Sequence, residues 1–189
     1  SWADSSDKQW TEDEFVSEYA AAVNALSGKV EADLAVIVTQ HSDTTISQKL
    51  FEKIQWRGKK AIISNTTWSH YDMKGVLGRL SLLFAMRLHA MILASSEHTP
   101  VVGLPYQPKI NHYFRAAGIE GDCMDMGKFS RDTAAQAIGS AWERRSATHA
   151  HLMKVMPGMK ERALVAAKMV ATLRRGEPLG EAAGWASNG

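Results

Sequence analysis

The sequence predicts an α/β fold, a parallel sheet of about five strands with helices on both faces and a long helix at the carboxyl end. Three observations predict it. Short continuous apolar runs such as Leu34-Ala35-Val36-Ile37-Val38 read as strands buried on both faces. Segments with apolar residues at helical spacing separate these runs. The two kinds of segment alternate along the chain, the pattern of βαβ units. With 189 residues there is material for one sizeable core. Residues 1–175 are therefore expected to form one α/β domain, and residues 176–189, rich in Gly, Ala and Ser, a loose tail.

The first helix is marked by a Thr11–Glu14 capping box and a Trp10–Phe15 staple. Val16, Tyr19, Val23 and Leu26 continue its apolar face, and Gly28 stops it. After the strand at Leu34–Val38, Ile46, Leu50, Phe51 and Ile54 give a second helix, ended by Gly58. Ala61-Ile62-Ile63 reads as a second buried strand, and Met73, Val76 and Leu77 as a short third helix. Leu80–Ala85 is the third strand, Arg87–Ser96 the helix after it, Val101–Leu104 the fourth strand and Lys109–Ala117 the next helix. Asp122–Met126 reads as a short fifth strand. Ser130 caps a helix carrying Ala134, Ile138 and Trp142, and a long helical stretch follows from about His149. Pro157-Gly158 is expected to kink or divide it. A doubly wound domain usually opens on a strand, whereas this chain opens on a polar segment and a helix. A strand, and with it a further domain, is expected ahead of Ser1.

Composition excludes several classes. Net charge is +2, with 22 basic and 20 acidic residues spread along the chain, unlike a nucleic-acid binder with a basic stripe. The single cysteine, Cys123, cannot form an internal disulfide or a zinc ribbon and fits a reducing, cytoplasmic setting. The longest apolar stretch, Leu80–Ala94, is interrupted by Arg87 and His89 and is too short to span a membrane. The histidines share no metal-ligand spacing, so no metal is expected. There is no Walker-type phosphate loop, no G-x-G-x-x-G after a strand and no G-x-S-x-G elbow.

Arg87-Leu88-His89 carries the chemistry. A guanidinium and an imidazole inside so apolar a segment cost several kcal/mol unless something pairs with them. An anion held at a helix start is the natural partner. In open α/β sheets ligands bind beyond the carboxyl ends of the strands. His41 and Asp43 follow the first strand, Ser64 and Asn65 the second, Arg87 and His89 the third, and Tyr106, Gln107 and Lys109 the fourth. Each has a plainer role open to it. Arg87 can sit in a salt bridge, His89 can be structural, Lys109 can be an exposed helix residue and Tyr106 can only pack. His41 and Asp43 can form a local turn, and Asp43 can equally cap the second helix.

The stretch Met86-Arg87-Leu88-His89-Ala90, then Thr99-Pro100-Val101-Val102-Gly103, then Tyr106-Gln107-Pro108-Lys109 resembles the polysaccharide pyruvyl transferase family, whose pattern runs R-L-H-A, P-V-V, Y-D-P-K. The loop from His41 to Asp43 is similar to that family's histidine-containing loop. Gln107 departs from the pattern, where an acidic residue is usual. The likeness extends from Trp2 to about Arg175 and corresponds to the C-terminal half of a family member.

The resemblance implies a Rossmann-like half of a two-domain, GT-B-like enzyme. It implies transfer of a pyruvyl group from phosphoenolpyruvate to a sugar hydroxyl of a polysaccharide or cell-wall glycan. On this resemblance Arg87 holds the donor's phosphate or carboxylate, and His89 moves the proton. Lys109 neutralises the departing phosphate, while His41 and Tyr106 are further contacts. Phosphoenolpyruvate is a substrate, and no cofactor is implied. A glycan or lipid-linked saccharide is the implied acceptor, met in the cytoplasm or at the inner face of the membrane. A lone half can bind donor and still fail to turn over, and apolar surface left by an absent half would drive self-association. Two rivals stand beside this reading: a half of a nucleotide-sugar glycosyltransferase, and a non-catalytic binding or assembly module.

Overall fold

The computed structural model describes residues 10–66 and 68–175. The tail expected at 176–189 lies outside the described residues. In chain order the elements are α1 (Glu12–Asn24), β1 (Leu34–Val38), α2 (Thr44–Lys53), β2 (Lys60–Ser64), α3 (His70–Leu77), β3 (Leu83–Ala85), α4 (Leu88–Ser96), β4 (Val101–Gly103), α5 (Pro108–Ala116) and α6 (Arg131–Arg174). Strands and helices alternate as the periodicity predicts.

Local chemistry fixes half of the α-helix starts. Thr11 and Glu14 form the expected reciprocal box on α1, Ser69 and Asp72 form one on α3, and Ser130 and Thr133 form one on α6. Gly28, at φ +81°, turns the chain after α1 in the left-handed region that glycine enters without strain.

The sheet departs from expectation. Among the described residues β1 pairs in parallel only with β2, and β3 in parallel only with β4, which gives two two-stranded sheets in place of one sheet of about five strands. The fifth strand expected at Asp122–Met126 shrinks to a single bridge between Gly103 and Cys123. Its physical cause is local: 3₁₀ turns at Glu120–Asp122 and Met126–Lys128 leave only Cys123 to Asp125 between them. β3 is also shorter than the apolar run suggests, because Leu80 to Leu82 carry the chain in from α3. β2 is an edge strand, not a buried one: Lys60, Ala61 and Ile62 are exposed, and no element covers its outer edge among the described residues.

The largest core cluster joins α4, β3, β4, α5 and α6 through Met91, Leu83, Val101, Phe114 and Leu152. Burying side chains of this size stabilises by about 1.5–3 kcal/mol each. A second cluster, centred on Phe15, Leu104 and Phe129, fastens α1 to the start of α6. A third, of Ala20, Val36 and Ile54, fastens α1 to β1 and α2.

The C-terminal helix is longer than the sequence suggests. α6 runs for 44 residues without division, with Pro157 inside it. The proline removes one ladder bond, but Leu152 and Met156 are anchored in the core just before it. Beyond it Leu164, Val170 and Leu173 are exposed. No helix among the described residues is long and apolar enough to cross a membrane.

Candidate functional site

Asp43, Arg87 and Tyr106 meet at the carboxyl ends of β1, β3 and β4. Each arrives on the connection that follows its strand. Val38 ends β1, and the 3₁₀ turn His41–Asp43 leads into α2. Ala85 ends β3, and Arg87 occupies the N-cap position of α4. Gly103 ends β4, and Leu104 to Gln107 lead into α5. A fourth connection joins the edge through Asn65, whose side-chain amide donates to the Thr39 carbonyl at 2.7 Å.

The centre of the group is a fork. Arg87 Nε donates to Asp43 Oδ2 at 2.7 Å, and Nη2 donates to Oδ1. Both side chains are about three-quarters buried, so water screens the pair only in part. The guanidinium is held above its ordinary pKa, first by these hydrogen bonds; burial opposes the shift and the Tyr106 hydroxyl adds to it. The cost of placing Arg87 in an apolar segment is therefore met inside the fold, by Asp43.

The anion that pairs with Arg87 is thus an internal carboxylate, where the sequence points to a ligand. Asp43, read from sequence as a turn or capping residue, does occupy the N-cap position of α2. Its side chain makes no capping bond, because the carboxylate is committed to Arg87. A lone aspartate after one apolar strand and a lone arginine after another carry the signal, but sequence separation hides their contact.

The other expected groups do not join the fork. His89 lies in the first turn of α4 and Lys109 in the first turn of α5, both exposed. His41 is exposed in its 3₁₀ turn. The side chains of these three make no hydrogen bond or ion pair with the described residues. Among the described residues no side chain caps α4 or α5; at α5 Pro108 has no N–H and Ile110 N–H donates to the Gln107 carbonyl, so the uncapped N–H groups lie chiefly at the start of α4. Such starts favour negative charge. No group of histidine, cysteine or carboxylates among the described residues could hold a metal ion.

Below the fork lies a cleft of about 360 Å³, with Asp43, Arg87 and Tyr106 at its polar mouth. Its walls are mainly apolar and come from β1, β3 and α1, with Val36, Phe84 and Val16 among them. His41, His89 and Lys109 do not line it. The arrangement offers a partly neutralised guanidinium with a phenol beside it, and, in the first turns of α5 and α4, an ammonium and an imidazole. Such a set can hold a small multiply charged anion and move a proton near it.

A family model described as polysaccharide pyruvyl transferase matches residues 2–108, more than half of the chain. The match contains His41, Asp43, Arg87, His89 and Tyr106 and stops one residue before Lys109. No curated protein and no solved structure matches the chain significantly.

Proposed function

The chain belongs to the polysaccharide pyruvyl transferase family, and from that premise we propose that it supplies the donor-binding half of an enzyme moving the pyruvyl group of phosphoenolpyruvate onto a polysaccharide or cell-wall glycan. The observation that carries this reading is the Asp43–Arg87 fork at the cleft mouth, inside the segment that defines the family.

Arginine has five N–H donors in a plane. Asp43 occupies the edge made by Nε and one Nη2 hydrogen, which leaves the remaining donors for a ligand. Asp43 is thus a positioning residue that aims Arg87. Because the pair is neutral as a whole, the donor's charge must also be met by Lys109 and the uncapped start of α4. Arg87 holds the carboxylate or phosphate, Lys109 the phosphate, and Tyr106 and His41 are further contacts.

The reaction balances as an addition followed by a displacement. An acceptor oxygen attacks C2 of the enol, while C3 takes a proton and becomes a methyl group. The C2–O bond to phosphate then breaks as a second acceptor hydroxyl closes the ketal, and inorganic phosphate leaves. His89 is the group that donates the proton at C3, and the cationic set around Arg87 stabilises the departing phosphate.

Thermal shift tests the donor class. Phosphoenolpyruvate at a hundredfold excess over its Kd should stabilise the chain by about 2.7 kcal/mol, whereas UDP- and GDP-sugars should leave the midpoint unchanged. Stabilisation by a sugar nucleotide and not by phosphoenolpyruvate would replace this reading with the glycosyltransferase one. A non-catalytic module would be favoured by Arg87 and His89 both held in internal pairs; Arg87 is paired with Asp43, whereas the His89 side chain has no partner among the described residues. That module predicts no response to either ligand.

A further inference from the structure

Asn65 closes the carboxyl end of the β1–β2 pair with hydrogen bonds to two consecutive residues. Its backbone N–H donates to the Val38 carbonyl at 3.0 Å, one step beyond the last strand partners, Val38 and Ser64. Its side-chain Nδ2 donates to the Thr39 carbonyl at 2.7 Å. Only the nitrogen of the amide can donate to a carbonyl, so this bond also fixes which way the amide faces. The other end, Oδ1, is buried and has no hydrogen-bond partner among the described residues. A buried acceptor left unpaired costs free energy, and such costs are tolerated where a group has a task other than stability. The bond to Thr39 is the one that holds the amide in this costly orientation.

Thr39 stands directly ahead of the turn that presents Asp43. The peptide unit is planar, so fixing the Thr39 carbonyl fixes the Gln40 nitrogen in the same plane. Gln40 in turn supplies the carbonyl that accepts from Asp43 N–H at 2.9 Å and closes the 3₁₀ turn His41–Asp43. Thr44 Oγ1 donates to the His41 carbonyl of the same turn at 2.7 Å. Gln40, His41 and Ser42 are exposed, so packing does little to hold the turn.

We propose that Asn65 is a positioning residue for the Asp43–Arg87 fork: through Thr39 it sets the turn that carries Asp43, and through Asp43 it aims Arg87. The chain of contacts crosses three connections, from the one after β2, to the one after β1, to the one after β3. Asn65 does not line the cleft, so its effect on a ligand there is indirect. The importance of the fork for donor binding rests on the function proposed above; its geometry does not.

Two substitutions in the 189-residue chain test this role. Asn65→Ala removes the donor and the unpaired acceptor together. Losing the bond costs stability and losing the orphaned acceptor restores it, so little change in the denaturation midpoint is expected. Asn65→Asp keeps the shape and sets an acceptor against the Thr39 carbonyl. In both, exchange of the Arg87 Nε–H with water, read by NMR, should quicken about fivefold or more, while the Val102 amide of β4 keeps its rate. Phosphoenolpyruvate affinity, read by calorimetry, should fall about threefold or more as the guanidinium loses its aim.

Unchanged Arg87 Nε–H exchange in Asn65→Asp overturns the proposal. So does a quickening of equal size at Val102, which would make Asn65 a structural residue only. If the parent chain does not bind phosphoenolpyruvate, the donor reading fails, and Arg87 Nε–H exchange still decides the role of Asn65. Should neither variant fold, the parent decides. Its Asn65 side-chain amide protons are expected to exchange more slowly than those of the exposed Gln40, and equal rates overturn the proposal.

Discussion

The Arg87 guanidinium lies edge-on against the Asp43 carboxylate, with Nε 2.7 Å from Oδ2, and so ties the connection after β1 to the connection after β3 across 44 residues of sequence. The pair sits at the mouth of the cleft where the sheet is interrupted. It is a two-bond, charge-assisted link between the two half-sheets.

Removing the arginine should therefore affect both stability and binding. Arg87→Ala leaves a partly buried carboxylate without its donors, and a loss of about 1–3 kcal/mol is expected in chemical denaturation. The side chains are 25% and 22% exposed, which keeps the cost below that of a fully buried pair. Phosphoenolpyruvate affinity should fall by about tenfold or more, since a charge-assisted pair of bonds is lost. Calorimetry showing unchanged donor affinity would sink the binding role and leave the structural one standing.

Gly103 ends β4 where the chain turns towards Tyr106 and Lys109. A Cβ there would come within 2.5 Å of Phe114 Cζ, inside the principal core. Gly103→Ala is expected to destabilise by about 1–3 kcal/mol through overpacking. At Gly75, in α3, a Cβ would meet no other atom within 4 Å, so Gly75→Ala should be neutral or stabilise by up to about 1 kcal/mol. Equal thermal midpoints for the two variants would contradict the packing argument.

Tyr19 is half-buried, its ring stacked on Phe84 at 4.5 Å, and desolvation pushes its phenol well above the ordinary range. Tyr19→Phe keeps the stacking and removes the bond to the Phe84 carbonyl. A loss of about 1–2 kcal/mol is expected from the orphaned acceptor. A variant as stable as the parent would mean that water satisfies this edge.

The capping boxes set the response to acid. Hydrogen bonds from Thr11 hold Glu14 below its usual value, and hydrogen bonds from Ser69 do the same for Asp72. For a lowered carboxylate the contribution is fully present above the unfolded value and is lost as pH falls through the folded one. Helicity of α1 and α3 should thus decline from the ordinary carboxylate range downward. Glu14→Gln keeps an acceptor at N3 and should flatten the slope of stability against pH there. An unchanged slope in denaturant melts between about pH 5 and 3 would count against Glu14.

Elements governed by nearest neighbours in the chain are legible from sequence alone. Apolar periodicity places β1 at its observed bounds and four of the later elements within a few residues, and a side chain three positions ahead defines the starts of α1 and α6. The family pattern is legible because Arg87, His89 and Tyr106 are spaced by one helix and one strand. Contacts between distant segments are not. Nothing local says that Asp43 turns from the α2 cap to Arg87, because a carboxylate can satisfy either and only the approach of β1 and β3 decides. Nor does an apolar run say which edge it will pair. The same pattern serves β2, left exposed at the margin, and β3, left facing a cleft, since pairing depends on which strands lie alongside. Sequence thus determined the kinds of element and the residues able to do chemistry, through interactions that reach three or four positions. Tertiary structure decided which charges meet and where the sheet stays open, because those outcomes depend on burial and backbone pairing between segments far apart in the chain.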